Sequence, residues 1–132
     1  MDVEEARVRL LRHAAADFEE GFLGMLRPFH GLREDAFHDV MVCLREVAPA
    51  LRGVSLDREL AHALWSLCHL ARAWGLDADG MLRRNRIITD EDAHRLQGWV
   101  DVISWTVFWL VGEGSPEDAF CEYERRYPAR RA

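Results

Sequence analysis

The architecture of this chain is set by residues 89–111, which read TDEDAHRLQGWVDVISWTVFWLV. Thr89 offers a hydroxyl that can cap a helix N-terminus, and the three acids after it stand where the helix dipole favours negative charge. The run from Trp99 to Val111 is nearly apolar, interrupted by Asp101, and its 13 residues fall short of the roughly 20 that a membrane span needs. Its β-branched residues also suit a strand, but the cap and the length of about 22 residues favour a helix.

This predicted helix is apolar over nearly its whole circumference. One side carries Val100, Ile103, Val107 and Leu110, and most of the rest is covered by Trp99, Val102, Phe108 and Trp109. Such a helix has to be covered on every side, either by other helices or by a second copy of the chain. Because Trp is favoured at the energetic centres of interfaces, we expect a partner or oligomer interface at Trp99, Trp105, Phe108 and Trp109.

Capping and stop signals predict four further helices. The first opens at an Asp2–Glu5 capping pattern, and its apolar spacing continues to Met25, ahead of Pro28 and Gly31. The second helix is predicted to start near Arg33 and to stop at Pro49, and the third to have its cap at Ser55 and its end at Gly75. At most one helical turn is expected around Met81. The fifth helix is predicted to start at Ser115 and Pro116.

Together these elements predict an all-α fold, a compact bundle of about five helices with the nearly all-apolar fourth helix at its centre. We expect a single domain over residues 1–132, with a tail of about residues 128–132 that lacks fixed structure.

Composition narrows the class of protein. The chain is 49% hydrophobic and 30% charged over 132 residues, which suits one globular domain with its own core. Its 17 basic residues, all Arg, face 23 acids, and the resulting charge of −6 disfavours general binding to nucleic acid or to anionic membranes.

The absence of Lys is typical of GC-rich codons, so we infer a high-GC bacterial source. The three cysteines form no C-x-x-C pair and the N-terminus lacks the zones of an export signal, so we expect a cytoplasmic protein without disulfides.

A recurring acid-x-x-His spacing is a candidate metal motif. It occurs at Asp35–His38, Glu59–His62 and Glu91–His94, and on a helix it places the carboxylate and the imidazole on one face. In this respect the chain resembles the ferritin-like di-iron bundles, which implies a divalent metal or di-iron site with the ligands Glu59, His62, Glu91 and His94. The alternative is structural, because acids are favoured in the first turn of any helix.

A second motif, Arg33 followed by His38, has the R-x4-H spacing of ribonucleases with the HEPN-type helical fold, which it resembles. The resemblance implies that Arg33 holds a phosphate and that His38 moves a proton. The alternative is a solvated helix start.

Arg83, Arg84 and Arg86 form the densest internal group of cations, and the tail carries a second group at Arg125, Arg126, Arg130 and Arg131. Guanidinium groups can hold phosphate, so these residues predict a localised nucleic-acid or anion contact on an acidic body. The alternative is that they cap helix C-termini or pair with Asp77 and Asp79.

The sequence contains no G-x-S-x-G, P-loop or G-x-G-x-x-G motif. We therefore expect a small non-catalytic protein that acts through protein–protein contact and forms a homodimer through part of the fourth helix. Its acidic surface suits a basic protein partner, as in an adaptor or an immunity or antitoxin-like inhibitor. The competing hypotheses are a nucleic-acid-binding subunit that uses the Arg83 group and a metal-binding bundle.

Overall fold

The computed structural model describes residues 1–112 and 114–130. Its helices are α1 (Val3–His13), α2 (Glu34–Val47), α3 (Arg58–Ala71), α4 (Met81–Arg84), α5 (Asp90–Val111) and α6 (Pro116–Arg126). A 3-10 turn at Ala48–Arg52 follows α2, a π-helical turn at Arg72–Leu76 continues α3, and a 3-10 turn at Pro128–Arg130 follows α6. No β-strand occurs in the described ranges, so the predicted all-α bundle of about five helices is confirmed, with α4 as one extra turn. Residues 131 and 132 of the predicted tail lie outside the described residues.

The predicted fourth helix is α5, which packs against α2, α3 and α6. Thr89 Oγ1 accepts a hydrogen bond from the Asp92 amide at 3.1 Å, so the predicted cap is confirmed. The buried side of α5 consists of Ala93, Leu96, Trp99, Val100, Val102, Ile103, Thr106 and Leu110. Trp105, Phe108 and Val111 are exposed, so the chain's own helices do not cover α5 on every side. Within the described residues, no helix is both long enough and apolar enough to cross a membrane.

The other predicted caps are confirmed at two helices and wrong at one. Asp2 Oδ1 accepts the Glu5 amide at 2.8 Å at the start of α1, and Ser115 Oγ accepts the Asp118 amide at 3.1 Å at the start of α6. In α3 the cap is Asp57 instead of Ser55, because the Asp57 carboxylate accepts the Leu60 amide at 3.2 Å. Gly75 does not end α3 either, since it lies inside the π-helical turn that prolongs the helix.

The first helix is shorter than its apolar spacing predicts. α1 ends at His13, and residues 14–33, here called the connecting segment, fold back as a series of turns that bury Phe22, Leu23, Met25 and Leu26. Gly24 allows the chain to turn back. A Cβ at this position would lie 1.8 Å from the Phe18 carbonyl oxygen, so only glycine fits there. The core therefore takes up these apolar side chains without extending the helix.

Candidate interaction face

An open groove lies between the outward sides of α3 and α5. Trp65 and His69 of α3 and Phe108 of α5 line it, together with Leu64, Cys68, Arg72, Ser104 and Val107. Its volume is about 330 Å³. Drug-sized ligands occupy pockets of about 300–1,000 Å³, so this groove is at the lower limit of that range.

Large aromatic side chains stand exposed in and beside this groove. Trp65 is 59% exposed, Phe108 62% and Trp105 39%. The Trp65 and His69 ring centroids lie 4.0 Å apart, and Trp109 contacts both Phe108 (5.3 Å) and Trp105 (5.7 Å). We call these five residues the aromatic face.

Helix geometry accounts for the position of these side chains. The buried side of α3 includes Leu60, Leu64, Leu67 and Ala71. Trp65 directly follows Leu64 and is therefore turned about 100° away from it, and His69 lies one turn beyond Trp65 on the same side. On α5, Trp105 and Phe108 are three residues apart and are also neighbours on the helix surface.

The Trp105 ring is held in place by α6. Its indole Nε1 donates a hydrogen bond to the backbone carbonyl of Asp118 at 3.1 Å. Because the indole donor is satisfied within the chain, what the ring leaves exposed is apolar surface.

Three polar side chains of the groove, Arg72, Ser104 and Cys68, are paired within the chain. Arg72 Nη2 donates to Ser104 Oγ at 2.8 Å and lies 3.7 Å from the Asp101 carboxylate. Burial raises the pKa of the Cys68 thiol, although a hydrogen bond with Ser104 acts in the opposite direction. A protonated thiol is a weak nucleophile, so the groove contains no activated cysteine. The thiol of Cys43, which does not line the groove, is also protonated, because burial raises its pKa to about 12.

The four predicted interface residues differ in exposure. Phe108 and Trp105 are exposed and Trp109 is half-buried. Trp99 is only 2% exposed and stacks on Phe37 with ring centroids 5.4 Å apart at 7°, so it belongs to the core and not to the aromatic face. Trp65 was not predicted from the sequence as an interface residue, although its offset from the leucine stripe of α3 was a usable signal.

The predicted metal ligands do not form a cluster. Glu59, His62, Glu91 and His94 are all exposed, and the Glu59 carboxylate accepts a hydrogen bond from Arg7 Nη2 at 2.9 Å. In the described part of the chain, no three His, Cys, Asp or Glu side chains are grouped so that they could hold a metal ion. The acid-x-x-His spacing thus places partners on one helix without bringing two helices' pairs together.

The R-x4-H pair is likewise separated in its contacts. Arg33 Nη2 donates to the backbone carbonyls of Glu19 (2.7 Å) and Gly21 (3.3 Å), so its guanidinium holds the connecting segment. His38 is buried, and its Nδ1 lies 2.6 Å from the Tyr123 hydroxyl in a hydrogen bond. The two side chains do not converge on an open site of the HEPN type.

The Arg83 group lies on and just after α4. Arg83 pairs with Asp90 at 3.0 Å, whereas Arg84 and Arg86 are exposed. Acids flank this group in sequence on both sides, at positions 77, 79 and 90–92. Arg125 and Arg126 both bind Glu122, and the side chain of Arg130 and all of Arg131 lie outside the described residues. Negative charge next to these guanidinium groups weakens their attraction for phosphate.

Comparison of the chain with known protein families, curated proteins and solved structures gave no match.

Proposed function

We propose that this chain is a non-catalytic interaction protein that binds a second copy of itself through the aromatic face. The observation that carries this proposal is that Trp65 and Phe108 are more than half exposed on opposite sides of one groove. Contiguous exposed apolar surface rimmed by polar groups is typical of interaction sites, and Trp is enriched among the residues that dominate binding energy.

The size of the groove supports a protein occupant. At about 330 Å³ it is at the lower limit of drug-sized pockets, and it has room for one or two inserted side chains of a protein. A two-fold dimer brings the same patch of both copies together, so the surface has to complement itself. A groove bordered by protruding rings meets that condition, because Phe108 of one copy can enter the groove of the other.

Charge supports a second copy over a basic partner at this site. The chain carries a net charge of −6, yet among the described residues the groove lining holds no carboxylate and its one permanent charge is Arg72. The nearby Asp101 carboxylate is paired with Arg72. Two copies therefore meet here without opposing their acidic charge, whereas a basic protein is attracted to the acidic surface elsewhere. A dimer would leave that surface available for the adaptor or antitoxin-like contacts expected from the charge.

The exposed area is adequate for the centre of an interface. With about 150–250 Å² per aromatic side chain, the exposed parts of Trp65, Phe108 and Trp105 amount to roughly 350 Å². A stable interface buries about 800 Å² per partner, with an apolar centre inside a polar rim. The three rings thus supply the apolar centre, and neighbouring residues on α3 and α5 supply the rim.

Native mass spectrometry and sedimentation of the wild type and of Phe108→Glu test this proposal. We expect the wild type to be a dimer and Phe108→Glu to be a monomer with unchanged circular dichroism. Val42→Glu is the matched control, because Val42 is an exposed apolar residue of α2 that does not line the groove, and this variant should remain a dimer. A monomeric wild type at every concentration, or a dimer that survives Phe108→Glu, would refute the proposal.

A further inference from the structure

His13 connects three parts of the fold. It is the last residue of α1, and its backbone carbonyl accepts the Leu23 amide of the connecting segment at 2.9 Å. Its ring Nδ1 accepts the Phe22 amide at 3.0 Å, and its Nε2 lies 2.7 Å from the Asp39 carboxylate on α2. One buried side chain thus fixes the connecting segment to both α1 and α2.

These contacts determine the protonation state of the ring. The Phe22 amide is a donor, so Nδ1 has to present a lone pair, and the ring proton is therefore on Nε2, which donates it to Asp39. This is the neutral imidazole. Adding a proton at Nδ1 would set two N–H donors against each other and remove the hydrogen bond to Phe22.

We propose that His13 is a pH-operated latch for the connecting segment, closed when the ring is neutral and opened by its protonation. Charged and titratable groups surround it on every neighbouring element. They are Arg9 and Arg12 of α1, Glu20 and Arg33 of the connecting segment, and Asp35, Asp39 and Cys43 of α2.

The balance among these groups favours the closed latch at neutral pH. Burial lowers the pKa of His13, with Arg33 and Arg9 acting in the same direction and Asp39 opposing them. Arg9 Nη1 binds the Asp39 carboxylate at 3.1 Å and takes up part of the negative charge that would otherwise stabilise an imidazolium. Acidification is therefore needed to open the latch.

Opening has a structural consequence for the connecting segment. Phe22, Leu23, Met25 and Leu26 are buried, and protonation would remove the bond from the Phe22 amide to the ring while leaving the bond from the Leu23 amide to the backbone carbonyl of His13. The same segment also lines a cleft of about 490 Å³ that includes Met25 and His30, so that cleft would change shape as well. In an acidic environment the connecting segment would therefore be held less firmly at Phe22 than at neutral pH.

Amide hydrogen exchange measured by NMR between pH 7.5 and 5.5 tests the latch. After correction for intrinsic exchange, we expect the protection of the Phe22 amide to fall by up to tenfold per pH unit below about pH 6.5, because opening takes up one proton there, while the Leu10 amide within α1 stays protected. Imidazole nitrogen shifts of the wild type should report the Nε2–H tautomer at neutral pH. Protection of Phe22 that does not change with pH, or an Nδ1–H tautomer, would overturn the proposal.

Two variants separate His13 from the other histidines. In His13→Asn the amide oxygen occupies the position of Nδ1 and can accept the Phe22 amide without titrating, so the pH dependence should disappear. His30→Asn is the matched control on the connecting segment and should keep it, because His30 is exposed. A dependence that persists in His13→Asn would assign it to another group, such as the buried His38.

Discussion

Replacing Trp65 and Trp99 by alanine, one at a time, compares an exposed and a buried indole in the same fold. Trp99 is 2% exposed, and removing a fully buried Trp side chain costs about 3–5 kcal/mol of unfolding free energy. Trp65 is 59% exposed and buries roughly 100 Å² within its own chain, which at about 25 cal/mol/Å² is at most ~2.5 kcal/mol. We expect Trp99→Ala to be the more destabilising of the two by ~2 kcal/mol in dilute solution.

Association should show the opposite order. The exposed part of Trp65, roughly 150 Å², becomes buried in the proposed dimer, which is worth ~4 kcal/mol per copy before the costs of association are subtracted. Since 1.4 kcal/mol corresponds to a tenfold change in Kd, we expect Trp65→Ala to weaken dimerisation at least a hundredfold.

Urea unfolding at low protein concentration measures the first effect, and sedimentation over a concentration series measures the second. A Trp65→Ala variant that is as destabilised as Trp99→Ala would show that Trp65 is a core residue. A Trp65→Ala variant that associates as tightly as the wild type would show that Trp65 lies outside the interface.

Three further predictions concern stability. Thr89→Ala removes the cap of the Asp92 amide and should lower the unfolding free energy by ~1 kcal/mol in urea titrations, whereas Thr89→Asn should preserve it. Gly24→Ala places a methyl group against the Phe18 carbonyl and should lower the melting temperature sharply, and a fully stable variant would contradict the close approach described above. Because burial lowers the pKa of His13, the unfolded state binds more protons below pH ~6.5, so unfolding free energy should be constant above that pH and decrease as the pH falls, by up to ~1.4 kcal/mol per unit. Equal stability at pH 7.5 and 5.5 would show that His13 titrates alike in both states.

Local signals in the sequence were sufficient for much of the fold. A capping hydroxyl, the acids behind it and an uninterrupted length predicted α5, because these interactions lie within one segment. The first helix was overextended for a physical reason: apolar residues spaced every three or four positions satisfy a core equally well when the backbone folds back. The glycines that allow the fold-back are visible in the sequence, but the contact at Gly24 with Phe18 is a tertiary one.

The candidate site was predictable only in part. In a helix that is apolar all round, sequence cannot tell which aromatic side chain faces the core, and the stacking of Trp99 on Phe37 from another helix decides it. For Trp65, by contrast, the sequence was sufficient, because α3 has a clear leucine stripe and Trp65 lies outside it. The spacing of Glu59 and His62 relates residues on one helix only, and the relative rotation of two helices is not written in such a pattern.

The hydrogen bond from the Trp105 indole to the Asp118 carbonyl has a further consequence for recognition. Freezing a side chain during association costs about 0.5–1.5 kcal/mol, and here folding has already met that cost. Because the Trp105 ring is already fixed before a partner binds, less of the favourable contact energy is offset by lost side-chain entropy, and complexes formed there should be long-lived for their size.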